Sequence, residues 1–174
     1  SEAACLGFEY GYSVAKPDSL VMWEAQFGDF VNGAQIINDQ FITSGMVKWG
    51  ATSRLTLLLP HGYEGNGPEH SNGRIARWLG SAAEGSIRVA QPTTSAQYFH
   101  LLRSQVHRDR KIPLIVFTPK SMLRATPTKS PLTDLVSGSF HEVLDDVSAD
   151  PTKVRRIVFA TGKIAHEANA RRAE

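Results

Sequence analysis

An open, mainly parallel α/β sheet flanked by helices is the fold class predicted here, and three observations predict it. Leu55 to Leu59 runs without polar alternation, as a strand buried on both faces does. Pro113 to Thr118 reads the same way. Around these two stretches, strand-like and helix-like patterns alternate, which argues for parallel strands joined by right-handed helical crossovers.

The elements follow in order. Ser1 is placed to cap a helix in which Ala4, Leu6, Phe8 and Val14 lie among small residues, and Gly7 and Gly11 leave room for close packing. Pro17-Asp18 ends it. Leu20 to Trp23 predicts a short buried strand that delivers Glu24 to Phe30 at its carboxyl end. Val31 to Ser44 predicts a second helix on the spacing of Ala34, Ile37 and Phe41, with Gly45 as its stop. After the Leu55 strand comes a predicted helix over about Asn72 to Ala83, then a short strand over Ile87 to Ala90 closed by Gln91-Pro92. Thr94 or Ser95 caps a helix reaching Arg103, ahead of the Pro113 strand. Ala125 to Ser139, rich in Thr, Pro, Ser and Gly, reads as a linker. Phe140 to Val143 and Arg156 to Thr161 read as strands, and Gly162-Lys163 opens a final helix. These patterns divide the chain into a domain over 1–124, a linker over 125–139 and the start of another domain over 140–174.

A length of 174 residues is enough for one domain with a real core. The net charge of +2 is too mild to point to nucleic acid, and the basic residues of Arg103 to Lys111 read as a solvated face. No apolar run approaches the roughly 20 residues needed to cross a membrane. Cys5 is the single cysteine and so forms no internal disulfide, which fits a reducing compartment such as the cytoplasm. The chain opens on Ser1 rather than methionine, directly ahead of a helical pattern, and therefore reads as a piece of a longer polypeptide.

Candidate chemistry gathers in the loop after Pro60, which holds His61 and His70, Glu64 and Glu69, and glycines at 62, 65 and 67. Loops at the carboxyl ends of strands carry the sites of open α/β sheets, yet surface loops also hold polar residues for no chemical reason. Two imidazoles suit proton transfer, because their pKa lies nearest neutrality. Metal binding is the weaker reading, since His61 and His70 lack a helical i,i+4 relation and the carboxylates between them have no ligand spacing. Neither Ser71 nor Ser121 sits in a Gly-x-Ser-x-Gly elbow, and Gly65-Asn66-Gly67 lacks the third glycine of a dinucleotide fingerprint. Lys120-Ser121 follows a strand and is a phosphate candidate without the glycines of a Walker loop. Phe27 and Phe30 flank a turn after a strand, where aromatics serve either a core or a planar ligand.

Several stretches together carry a resemblance. Ser1-Glu2, Gly7-Phe-Glu-Tyr-Gly-Tyr12, Trp23-Glu-Ala-Gln-Phe-Gly-Asp-Phe30, Lys48-Trp-Gly50, Leu59-Pro-His-Gly-Tyr-Glu-Gly-Asn-Gly-Pro-Glu-His-Ser71 and Phe117-Thr-Pro-Lys-Ser-Met-Leu-Arg124 span nearly the whole chain. In them the sequence resembles the thiamine-diphosphate-dependent decarboxylating component of the 2-oxoglutarate dehydrogenase complex, in its bacterial and specifically actinobacterial form. The resemblance implies a transketolase-like pyrimidine-binding domain followed by the first part of a carboxyl-terminal domain. It implies that Glu2 hydrogen-bonds a ring nitrogen of the cofactor's aminopyrimidine. By the same match, Gln26, Phe27 and Phe30 line the pyrimidine, and His70 faces the reacting carbon to stabilise an oxyanion or pass protons. His61 is the second candidate for contact with substrate.

Thiamine diphosphate is the implied cofactor, with Mg²⁺ and the diphosphate held by a domain whose Gly-Asp-Gly signature this chain lacks. The implied partners are a second subunit, forming a homodimer across the cofactor, and a lipoyl-bearing succinyltransferase; neither nucleic acid nor membrane is expected. The implied compartment is the bacterial cytoplasm, or the mitochondrial matrix in a eukaryote. Asn38, Ala76 and Ile112 depart from the family's usual residues, which bears on helix packing and on contacts near Ile112 and not on the chemistry. Two other readings stay open: a decarboxylase for a longer 2-oxo acid, and a non-catalytic α/β module serving assembly or regulation.

Overall fold

A computed structural model describes residues 1–64 and 67–173. Among them four parallel strands form one sheet: β1 (Met22–Glu24), β2 (Thr56–Leu59), β3 (Arg88–Ala90) and β4 (Leu114–Phe117), in the order β1-β2-β4-β3. The helices are α1 (Glu2–Ala15), α2 (Gln35–Ile37), α3 (Gly45–Trp49), α4 (Ile75–Ser81), α5 (Ser95–His107), α6 (Leu132–Ser137) and α7 (Lys163–Ala173). The predicted fold class is the observed one.

The two central strands explain why the apolar runs were legible. Alternate residues of a strand face opposite sides of the sheet, and here both sides are covered. Leu57, Leu59, Ile115 and Phe117 join one core cluster with Leu6 of α1 and Trp78 of α4. Leu114 and Val116 join the other, with Leu101 of α5. All four residues of β4 are fully buried. Each such side chain stabilises the fold by about 1.5–3 kcal/mol relative to exposure.

Caps set the long helices as predicted. The Ser1 hydroxyl accepts from the Ala4 N–H at the start of α1, and the Thr94 hydroxyl accepts from Gln97 N–H at the start of α5.

Two expectations fail for tertiary reasons. The predicted helix over Val31 to Ser44 is broken into a 3₁₀ segment (Gly28–Ala34), α2 and a π turn (Asn38–Ile42), and Gly45 begins α3 rather than ending a helix. Asn38 is the cause we can name. It is 1% exposed, its amide reaches back to the Val31 carbonyl at 3.3 Å, and its own carbonyl takes the Thr43 N–H in place of the normal α-helical bond. Gly45 is required by close approach, since a Cβ there would run into the Tyr10 hydroxyl.

The second failure concerns Phe140 to Val143 and Arg156 to Thr161, which form no strand. A strand persists only where a neighbouring strand takes its N–H and C=O groups, and among the described residues no strand pairs with these, while Ile157, Val158 and Phe159 stand exposed. The segment read as a linker holds α6 and a 3₁₀ turn at Thr126–Thr128.

Candidate functional site

Three loops leave the carboxyl ends of adjacent strands β1, β2 and β4, and they bring side chains from distant parts of the chain together. From the β1 loop come Phe27 and Phe30, and from the β2 loop comes His70. Their rings meet edge to face in a triangle, with centroid separations of 5.3 Å between the phenylalanines, 4.7 Å from Phe27 to His70 and 5.5 Å from Phe30 to His70. All three are half-buried. Glu2, in the first turn of α1, lies against the same segment as Phe30: a Cβ on Gly33 would sit 3.3 Å from its Oε2. Residues 68–70 and α1 thus pack on one segment, Gly28–Ala34, and neither Glu2 nor His70 is buried.

His61 is held differently. Its Nδ1 accepts the Gly73 backbone N–H at 3.0 Å, which places the ring proton of the neutral imidazole on Nε2. The ring packs on Phe117 at 5.4 Å and on Tyr63 at 6.1 Å, away from the phenylalanine pair. Burial holds its pKa below the ordinary 6.5, partly opposed by the negative charge of Asp29. The two histidines therefore have separate environments, which a nine-residue spacing in sequence does not show.

Gln26 is exposed, and it is its backbone carbonyl that accepts a hydrogen bond, from Lys120 Nζ at 2.9 Å. The same ammonium lies 4.1 Å from the Phe27 ring centroid, a cation on an aromatic face. Lys120 and Ser121 were phosphate candidates by position. Both are instead engaged within the chain, since Ser121 donates from its N–H at 2.7 Å and from its hydroxyl to the Glu64 carboxylate. Lys163 adds an ion pair to Glu64 at 3.4 Å. Burial works against the Glu64 carboxylate, but the bonds from Ser121 and Lys163 outweigh it and hold the pKa below the usual range. Gly65 and Asn66 lie outside the described residues. Among the described residues no group of three His, Cys, Asp or Glu comes together as a metal site.

One participant was not anticipated. Asp29, between the two phenylalanines, is 6% exposed and accepts the Asn72 N–H at 2.5 Å, with Arg74 at 3.8 Å. Only the Gly-Asp-Phe sequence of the resemblance touched on it, and nothing in the local pattern marks it as buried.

Strand ends that gather ring surfaces and titratable groups are the usual place for planar ligands in open α/β sheets. Comparison with known proteins makes this class specific. The family model of the transketolase pyrimidine-binding domain matches residues 1–126, and the chain belongs to that family. It is 56% identical over 168 residues to the 2-oxoglutarate dehydrogenase E1 component of Cupriavidus necator, covering 96% of this chain and 18% of that protein. It is 55% identical over 168 residues to the protein of the same name from Azotobacter vinelandii, with the same shares covered. It is 54% identical over 169 residues to the 2-oxoglutarate dehydrogenase E1/E2 component of Corynebacterium glutamicum, covering 96% of this chain and 14% of that protein. The chain thus spans less than a fifth of the length of these relatives.

Proposed function

We propose that this chain is the pyrimidine-binding part of a 2-oxoglutarate dehydrogenase E1 component, which decarboxylates 2-oxoglutarate and passes the succinyl unit to a lipoyl carrier. The observation that carries the reading is the convergence of Phe27, Phe30 and His70 on the segment that Glu2 also lines. Half-buried ring faces beside an accessible carboxylate fit the aminopyrimidine of thiamine diphosphate, which needs an aromatic surface and an acceptor for a ring N–H. When bound, that cofactor supplies the carbon nucleophile and the electron sink for loss of CO₂.

The chain's own residues have distinct parts in this reading. Glu2 accepts the ring nitrogen's hydrogen bond and so favours the protonated form of that nitrogen. Phe27, Phe30 and the exposed Gln26 line the ring. His70 exchanges protons with the substrate at the reacting centre, and His61 offers its Nε2–H as a donor. Mg²⁺ and the diphosphate are held by a domain outside 1–174.

Residues 1–124 form the pyrimidine domain, 125–139 a connecting segment and 140–174 the first part of the next domain; the family match over 1–126 supports this division. The dimer partner meets α1, where Gly7, Tyr10, Val14, Phe41 and Trp49 line an apolar groove of about 520 Å³. Phe8 beside it is 68% exposed and Trp49 within it 58%. The working compartment is the bacterial cytoplasm, and the acyl acceptor is a lipoyl-bearing succinyltransferase.

Glu2→Gln in the full-length polypeptide tests the reading. Its amide cannot stabilise the protonated ring nitrogen as a carboxylate does, so 2-oxoglutarate turnover falls by about 10²–10⁴-fold. The melting temperature stays put. Turnover within twofold of the parent would remove the enzymatic reading and favour a non-catalytic module. The 174-residue chain alone is expected to show no 2-oxoglutarate decarboxylation, and measurable activity would contradict the shared-site arrangement.

A further inference from the structure

We propose that Asp29 is a positioning residue, a buried carboxylate that fixes the Phe27–Phe30 segment against the loop carrying both histidines. The inference rests on the proposed function only for its kinetic consequence. Asp29 lies inside the 3₁₀ segment between the two rings, and its Oδ2 accepts the Asn72 N–H, 43 residues away, at 2.5 Å. Asn72 is two residues beyond His70 and directly precedes Gly73, whose N–H holds His61 Nδ1. One carboxylate therefore grips the stretch from which both imidazoles are oriented.

The surroundings show that the grip has something to hold. Arg74 is a non-glycine residue at φ +59°, a left-handed conformation that persists only where neighbours impose it. Its N–H donates to the Asn72 side-chain oxygen at 2.8 Å, and its guanidinium faces Asp29 at 3.8 Å. The same loop turns back on the His70 strap, where the Ser71 hydroxyl donates to the Gly67 carbonyl at 2.8 Å and the Ser71 carbonyl accepts from Gly62 and Tyr63. The charge of a nine-tenths-buried carboxylate is tolerable only when such donors meet it, and two of them come from 72–74. If the carboxylate is lost, the Asn72 N–H and the Arg74 guanidinium lose their common partner. The aromatic pair then keeps its ring contacts with His70 and the Gly28 bond to Pro60, but no charged anchor to 72–74.

The test uses the full-length polypeptide with Asp29→Asn and Asp29→Ala. Asparagine keeps an acceptor for Asn72 and sets its amide against Arg74, whereas alanine removes both contacts. kcat for 2-oxoglutarate, measured well below the melting temperature, falls about 100-fold in Asp29→Ala and about tenfold in Asp29→Asn, with KM within threefold. NMR of ring-labelled histidine shows the His70 ring signal moving as its phenylalanine neighbours shift, in Asp29→Ala more than in Asp29→Asn. If Asp29→Ala does not fold, Asp29→Asn alone decides through the same two readouts. Lowered thermal stability with unchanged kcat and an unmoved His70 signal would overturn the proposal and leave Asp29 a packing residue. If Glu2→Gln proves harmless, the functional reading fails by itself, and the NMR shift still decides the positioning claim.

Discussion

Replacing Gly28 with alanine should separate the aromatic segment from the strand ends that carry the histidines. A Cβ at this position would lie 2.7 Å from Gly73 Cα and well inside contact distance of the Pro60 carbonyl oxygen. Both obstacles are backbone, so no flexible side chain can swing away. Recovering an ordinary 3.4 Å contact requires Gly73 to withdraw by about 0.7 Å, and Pro60 by more. That movement weakens the Gly28 N–H bond to the Pro60 carbonyl, now 3.1 Å. Overpacking costs about 1–3 kcal/mol and the hydrogen bond about 1 kcal/mol, which together predict a loss of about 2–4 kcal/mol. In a chain of this size the melting temperature should drop by roughly 5–15 °C. Urea denaturation of the 174-residue chain measures the free-energy loss and a thermal melt the temperature shift, with Gly80→Ala as control. Nothing lies within 4 Å of a Cβ at Gly80, the next-to-last residue of α4, so alanine there should be neutral or stabilise by up to about 0.5–1 kcal/mol. A Gly28→Ala midpoint within about 0.5 kcal/mol of the parent would refute the claim that 28 and 73 pack backbone to backbone.

Two predictions concern pH. The folded chain holds the His61 pKa below 6.5, so as the solution acidifies the unfolded chain takes up its proton first. The stability tied to neutral His61 is present above 6.5 and is lost as pH falls through the depressed folded value; His61→Gln should flatten the fall in urea midpoint over this window, and an unchanged slope would contradict it. For Glu64 the folded pKa also lies below its reference of 4.5, so its contribution is present above 4.5 and disappears as pH falls through the folded value. Glu64→Gln should cost about 0.5–1.5 kcal/mol at neutral pH and nothing at acid pH, read from denaturation midpoints at the two extremes.

What the sequence revealed and what it hid divide along the range of the interactions. β2 and β4 are legible because burial on both faces leaves an uninterrupted apolar run, and α1 and α5 because a hydroxyl caps each. These are local signals. The break after Gly28 is not local: Asn38 is a polar residue at helical spacing, and only its burial against Val31 turns the chain into a π turn. Asp29 escaped notice for the same reason, since a carboxylate beside a glycine in a loop reads as solvated until its partner at Asn72 is known. Lys120 was visible as a cation after a strand, but its target, the Phe27 face, is 93 positions away and no motif connects them. Phe27, Phe30, His61 and His70 stood out by their place in loops after strands, but their roles, and Glu2 and Gln26 altogether, were reached through whole-motif likeness, because no periodicity or ligand spacing assigns them.

Register links the two scales. Glu24 lies beside Leu58, and Leu58 beside Val116, so the loops after β1, β2 and β4 start side by side on strands about 4.8 Å apart. Bonds beyond the strands keep them together: Ala25 N–H to Leu58, Gly28 N–H to Pro60 and Thr118 N–H to Leu59. Such a sheet cannot slip by one residue without sending Leu57 and Leu59 to the opposite face, where Leu114 and Val116 already fill the core. The cost of that slip is several buried leucines, far more than any single contact at the site. The hydrophobic pattern therefore does more than stabilise the domain. By fixing where each strand stops, it decides that Phe27, His70 and Lys120 arrive at one place, and a slip in β2 register would separate them even with every site residue intact.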